Sequence, residues 1–515
     1  MSDPDDLDKP GDDSRLRLVH IGLLAVFTLG IGLGSSTRLT YHEAFVAQGA
    51  REMIRRGDWL VPTLGGRPWL EKPPLAHWLV ALVSLPFGDV TETSARVPSA
   101  LAALALACVV GRLVARRWGQ AIGSLAGLIQ VSTYWTVARG RLAESDILLA
   151  AIVAAALASF DALRLSNGKS RQARLIFFGC LGLSALVKGI GFGAALILAI
   201  VAVVLILDRD RSTFRALLFD PIGQATAVLL ALAWPALVAS RHPEAVGLWT
   251  LHIADRLADR PEHFASGPWW TYPVAALTLT LPWTPIALPS LVRSIRRSWV
   301  ESNGLDRLLV AWAFVPLLLL STATVKNAHY AIHALAPWSA WGAVGVAKAV
   351  GRLAERRGMG RERMIQVAWV GFGLVGIIYA STFGLVLPKL DDRSAECLFY
   401  RAVTRSIESS DSLVLLLDDW DRLPYATPFG PVPHDLALRL FYLDRPAVVR
   451  LKPESLVANP PAGASFAVIA RKRDLATLQA IGDVQTLVEG PVKRWDRAFL
   501  LYRVTKSPTL DDVVR

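Results

Sequence analysis

Four stretches of this chain gather residues able to handle charge and protons. The first opens Thr40-Tyr41-His42-Glu43 and continues to Glu71-Lys72-Pro73-Pro74. The second is Arg139-Gly140-Arg141-Leu142-Ala143-Glu144-Ser145-Asp146. The third holds His252, Asp255, Arg256 and His263, and the fourth reads Lys326-Asn327-Ala328-His329-Tyr330. Lysine and arginine grip phosphate oxygens through charge-assisted hydrogen bonds. A carboxylate can activate a hydroxyl or hold a metal ion, and imidazole exchanges protons near neutral pH. Brought together, these groups suit transfer from a lipid phosphate. Each also has a plainer reading. Thr40-x-x-Glu43 is a capping box for a following helix, and Ser145 or Asp146 can cap the apolar run Ile147–Leu149. Lys72, Arg139 and Arg141 can anchor at lipid headgroups. His329, Tyr330 and the Trp269-Trp270 pair can sit in an interfacial aromatic belt.

The elements that must position these residues are membrane helices. Of 515 residues, 53% are hydrophobic and 19% charged, a balance unusual for a soluble domain. Apolar runs fall at roughly 18–36, 97–114, 120–137, 147–163, 174–189, 190–207, 222–240, 270–291, 308–323, 331–350 and 364–387. Each is long enough, or nearly so, to cross about 30 Å of hydrocarbon, where only internally bonded backbone is stable. The expected fold is thus a polytopic α-helical bundle of about eleven to thirteen transmembrane helices. Ala76–Phe87 is too short to span and follows Pro73-Pro74, so a re-entrant or interfacial helix is expected there. With the N-terminus inside, the clusters Arg112/Arg116/Arg117, Arg164/Lys169/Arg171/Arg174, Arg209/Arg211/Arg215, Arg293/Arg296/Arg297 and Arg352/Arg356/Arg357/Arg361/Arg363 all fall on the cytoplasmic side. The positive-inside rule favours that assignment. It places all four chemistry-bearing stretches, and the C-terminus, on the outer face.

The net charge of +12 is accounted for by those loops, and no basic segment interleaved with aromatics suggests nucleic-acid binding. Cys108, Cys180 and Cys397 have no metal or redox spacing. Residues 1–14, rich in Asp, read as a disordered acidic cytoplasmic tail and not as a cleavable signal. Residues 15–388 form the transmembrane domain. Residues 389–515 change texture: Ser412–Leu417, Phe466–Ala470 and Ala498–Val504 read as strands, with a helical pattern at Asp474–Ile481. A small α/β domain in the periplasm is expected.

The joint pattern resembles a family. Glu43-Ala44-Phe45, Ala50-Arg51-Glu52-Met53, Gly57-Asp58-Trp59-Leu60-Val61-Pro62 and Glu71-Lys72-Pro73-Pro74-Leu75, followed by Trp78, resemble the first outer loop of bacterial lipid A aminoarabinose transferases. These belong with the protein O-mannosyltransferases in the GT-C glycosyltransferase group. The likeness continues through Arg96-Val97-Pro98-Ser99, Arg141 to Asp146, Ser184 to Gly189, Trp269-Trp270 with Leu281-Pro282-Trp283, and Lys326 to Pro337. It covers residues 1–350 well and the C-terminal domain by position only.

The resemblance implies an inverting, membrane-bound glycosyltransferase of the bacterial inner membrane. It would move a sugar from a polyprenyl phosphate to a lipid, protein or glycan acceptor on the periplasmic face. It implies catalytic roles for Glu43, Asp146 and His42, the last standing where the family carries Asp. Lys72, Lys326, Arg256, Arg141 and Tyr330 would contact the donor phosphate. No cofactor is certain, although Glu71 with His252 or His263 would offer part of a divalent-metal site. Two other functions fit the composition. One is a transporter of lipid-linked sugars, against which stands the lack of any repeat relating the two halves. The other is a non-catalytic partner that binds through the C-terminal domain.

Overall fold

The computed structural model describes residues 14–35, 37–257, 267–323, 326–391, 395–407, 412–416, 436–443, 447–450, 453–490 and 499–506. The acidic tail before Ser14 lies outside them. The chain enters through α1 (Ser14–Ala25), which continues as a π-helical turn to Gly30. Helices α2 (Tyr41–Arg56) and α3 (Leu75–Ser84) flank a two-stranded hairpin, β1 (Thr63–Leu64) and β2 (Arg67–Pro68). Then come α4 (Glu92–Trp118), α5 (Gln120–Ser132), α6 (Tyr134–Gly140), α7 (Asp146–Leu165), α8 (Arg171–Lys188) and α9 (Phe192–Asp208). A short α10 (Arg211–Leu218) leads to α11 (Pro221–Arg241) and α12 (Glu244–Leu257). The bundle is completed by α13 (Thr271–Leu279), α14 (Thr284–Val300), α15 (Leu305–Ser321), α16 (Pro337–Arg357) and α17 (Arg361–Ser381).

All eleven apolar runs are largely helical. Among the described residues four helices are long and apolar enough to cross a membrane, namely α4, α7, α11 and the stretch Gln366–Leu390, and α13 with α14 form a fifth candidate bent by 119°. The other runs are shorter, broken or charged at their ends. The run expected at 120–137 is interrupted at Thr133 between α5 and α6. The run at 331–350 begins as a 3-10 turn over Ala328–Ala334 and becomes α16 only at Pro337. Broken helices survive at membrane depth where neighbouring protein satisfies the freed backbone groups.

Small residues let the helices approach. A Cβ on Gly123 of α5 would meet Ala115 Cβ at 2.4 Å and the Gly111 carbonyl oxygen at 2.5 Å, both on α4. One on Gly127 would meet Ile21 of α1 at 2.4 Å. Such contacts replace the hydrophobic drive that lipid cannot supply. At the arginine-rich end, α4, α7, α9 and α15 are knotted by buried charge. Asp161 takes Arg117 at 2.6 Å and Arg164 at 3.3 Å, while Asp208 takes Arg164 at 2.5 Å and also pairs with Arg307.

The C-terminal region carries the expected strands as β3 (Ser412–Leu416), β5 (Ser465–Arg471) and β7 (Phe499–Lys506), together with β4 (Val448–Arg450) and β6 (Gly482–Glu489). Their order is β4-β3-β5-β7-β6, with β4, β3 and β5 parallel and β7 antiparallel to both β5 and β6. Alternation sorts the side chains into two layers. Leu413, Leu415, Ala467 and Ile469 join the main core with the helices at Ala395–Ser406 and Leu436–Leu443. Val414, Leu416, Phe466 and Val468 pack a second core with Leu456 and Leu478. The Leu436–Leu443 helix docks on α2: Arg51 donates to the Phe441 carbonyl at 2.7 Å, and the Tyr442 hydroxyl accepts the Leu39 N–H at 2.8 Å.

Candidate active site

Glu43 is held at the first turn of α2. The Thr40 side chain accepts the Glu43 N–H at 3.2 Å and Glu43 accepts the Thr40 N–H at 2.8 Å, so the capping box forms. The same carboxylate does more. Arg96 of α4 donates to it at 2.7 Å and 3.3 Å, and the Ala143 N–H does so at 3.0 Å. Glu43 and Arg96 are both fully buried, at 0% and 1% exposure. Glu43 therefore ties α2, α4 and the loop leading to Asp146, with both oxygens engaged. His42, on the neighbouring face, is exposed and its ring lies 4.2 Å from that of Tyr41.

The Glu71-Lys72 segment is placed by a tight hairpin. Gly65 and Gly66 adopt φ of 60° and 75°, the double positive φ of a type I′ turn, which glycine enters without strain. Glu52 of α2 accepts from Gly65 N at 2.7 Å and from the Thr63 hydroxyl at 2.6 Å. Trp249 of α12 donates to the Leu70 carbonyl at 2.8 Å. Glu71 and Lys72 emerge half-buried.

Asp146 begins α7, but neither it nor Ser145 makes a side-chain cap. It forms an ion pair with Lys188, the last residue of α8. The Lys188 ammonium also lies 4.6 Å from the Tyr330 ring centre and 5.5 Å from that of Phe192. His329 Nε2 stands 4.0 Å from Asp146 Oδ2, and the His329 and Tyr330 rings meet edge-on at 4.5 Å. Burial, reinforced by Lys188, Arg139 and Lys72 nearby, depresses the His329 pKa to about 4 despite the pull of Asp146. At neutral pH the imidazole is uncharged, so this approach is a polar contact and not an ion pair. Arg139 pairs with Glu144 at 2.6 Å. Burial raises the Glu144 carboxyl, with Arg139 opposing.

Asp146, His329, Tyr330 and Lys72 thus share one end of the bundle. Lys326 is half-buried in the same loop as Tyr330 and donates to the Ala323 carbonyl at 2.6 Å. Arg141 is committed elsewhere: its guanidinium donates to the carbonyls of Thr28, Leu29 and Ile31 at 2.7–3.2 Å and stacks 3.9 Å over Phe383. It closes the end of the first helix. The side chains of His252 and Arg256, and all of His263, lie outside the described residues, as does the side chain of Cys397. Among the described residues no three metal-binding side chains come together. Three members of the constellation carried no assigned role in the sequence reading: Arg96, Lys188 and His333. Lys188 was visible as a lone cation ending an apolar run. Arg96 and His333 lie in stretches that carry the resemblance, but the role of Arg96 was not legible, because its partner Glu43 is 53 residues away.

Comparison with known proteins fits this architecture. The family model for dolichyl-phosphate-mannose-protein mannosyltransferases matches residues 71–238. Undecaprenyl phosphate-alpha-4-amino-4-deoxy-L-arabinose arabinosyl transferases from Serratia proteamaculans and Aeromonas salmonicida are 29% and 32% identical over 65% and 64% of this chain. The chain spans 59% of the length of each. ArnT from Cupriavidus metallidurans, solved bound to undecaprenyl phosphate, superposes with a TM-score of 0.72 at 16% identity, covering 95% of this chain and 97% of that one. The archaeal oligosaccharyltransferase AglB of Archaeoglobus fulgidus gives 0.53 at 13% identity, covering 85% and 64%. The chain is similar to the aminoarabinose transferases and has the GT-C fold. In this GT-C scaffold the loops before α2, α7 and α16 converge at one end. The small sheet domain accompanies them, docked on α2.

Proposed function

We propose that this chain is an integral membrane glycosyltransferase that takes a sugar from a polyprenyl phosphate at the outer face of the bacterial inner membrane. The observation that carries this reading is the convergence of Asp146, Lys188, His329, Tyr330 and Lys72 at one end of a scaffold shared with a protein that binds undecaprenyl phosphate. Lys72 and Lys326, with Tyr330 and Arg256, stabilise the donor phosphate. An acceptor oxygen attacks the anomeric carbon, the carbon–oxygen bond to phosphate breaks, and the polyprenyl phosphate departs with the bonding electrons. Any acceptor proton passes to the carboxylate of Asp146. Such a leaving group is good, so the site mainly positions the reactants and neutralises charge. Glu43, fully engaged with Arg96, acts as the strut that sets the loop of Asp146, and exposed His42 faces the acceptor side. The acceptor is a lipid, a protein or a glycan, and a divalent ion would fall to Glu71 with His252 or His263.

Purified protein in proteoliposomes, given undecaprenyl phosphate charged with radiolabelled sugar and an envelope lipid extract, tests the reading. Release of bare undecaprenyl phosphate with label passing to an acceptor is expected. Flipping of intact donor without release would indicate a transporter. Neither event would leave a binding partner.

A further inference from the structure

His333 is 1% exposed, and neither ring nitrogen has a hydrogen-bond partner. A neutral imidazole always carries one N–H, and burying it unpaired is destabilising. A phenylalanine or leucine would fill the same space without that cost, so an unpaired buried group calls for a missing partner. Its own backbone is not in question, since the His333 carbonyl accepts from Trp312 Nε1 at 2.8 Å.

The surroundings indicate what the partner is. The His333 ring meets Phe192 edge-on, with centres 5.7 Å apart. Phe192 in turn lies 5.7 Å from Tyr330. The charged and titratable neighbours are Lys188, Asp146 and His329. Aromatic walls accept the C–H faces of a pyranose, and buried neutral donors read its hydroxyl or amino groups. His333 lies one turn beyond Tyr330 on the 3-10 segment and is more deeply buried than the half-buried His329, Tyr330 and Lys188.

Resting on the reading above, we infer that His333, packed edge-on against Phe192, is the residue that hydrogen-bonds a polar substituent of the donor sugar, deeper in the site than the phosphate contacts. It is a specificity residue for the sugar, separate from recognition of the lipid phosphate.

The test is binding to the purified full-length chain in detergent. Bare undecaprenyl phosphate is compared with undecaprenyl phosphate carrying 4-amino-4-deoxy-arabinose, mannose or glucose. Wild type should bind bare lipid phosphate and at least one sugar-bearing form tenfold or more tighter. His333→Phe should bind bare lipid phosphate as wild type does, which also certifies its fold, and lose the sugar preference. His333→Asn, which retains a donor, should recover part of it. A preference undiminished in His333→Phe would overturn the inference, pointing to a buried water as the partner. Equal loss of both ligands in His333→Phe and His333→Asn would overturn it in favour of a packing role. Absence of sugar preference in wild type would also overturn it while leaving lipid-phosphate binding intact. Failure of wild type to bind bare undecaprenyl phosphate would remove the underlying reading as well.

Discussion

At the scale of single residues, Glu43 decides how the site is understood. Its capping box was legible because Thr40 and Glu43 lie three apart and the geometry of a first turn is local. Its partnership with Arg96 was not, because 53 residues separate them and nothing in either segment names the other. Glu43→Gln preserves the cap but leaves the Arg96 guanidinium buried without its counter-charge. Breaking a buried pair from one side costs about 3–5 kcal/mol. A marked drop in apparent Tm is therefore expected, with turnover per folded molecule within about tenfold of wild type. Unchanged Tm with turnover down by about 10²-fold, the scale of general-base loss, would assign Glu43 to the chemistry. Asp146 shows the opposite case. Its sequence context suggested an N-cap equally well, and only the end of α8 arriving from 42 residues away makes it half of an ion pair with Lys188. Arg141 sits between the two in sequence, yet it bonds helix-end carbonyls, a duty the spacing of its motif does not distinguish from phosphate binding.

Elements place these residues, and their packing is testable apart from any activity. The contact of α4 with α5 depends on Gly111 and Gly123, where backbone meets backbone. Gly123→Leu should lower the folded yield and apparent Tm sharply, because the clash is with the Gly111 carbonyl and the α4 backbone and not with a flexible tip. Gly179→Leu, where an added Cβ meets nothing within 4 Å, is the matched control and should behave as wild type. Equal tolerance at both positions would contradict the packing described. Apolar runs were readable as helices since their composition leaves no alternative in lipid. The breaks at Thr133 and before Pro337 were not, because hydropathy is continuous across them. In the sheet, β3, β5 and β7 were legible from buried apolar runs. β4 has three residues and β6, largely solvent-facing on alternate positions, offered too little apolar signal.

For the whole molecule, polarity along the bundle axis is the organising feature. Fifteen residues of α7 separate Asp146 from Asp161, roughly 22 Å by helical rise. One end carries the Asp146–Lys188 constellation and the docked sheet domain, and the other carries the knot of Asp161, Arg164, Asp208 and Arg307. From the charge bias we propose that the knot faces the cytoplasm; a fluorescent reporter that matures only in the cytoplasm, fused after Arg515, should then stay dark, and a bright fusion would reverse the orientation. We propose that the Asp146 end of this scaffold performs sugar transfer from a polyprenyl phosphate. Its most direct test is turnover of sugar-loaded undecaprenyl phosphate by wild type and Asp146→Asn at equal folded amounts. Measurable release of undecaprenyl phosphate by wild type is expected, with a fall of about 10²-fold or more in the variant. Wild-type turnover undiminished in Asp146→Asn, or no turnover of any such donor by wild type, would contradict it.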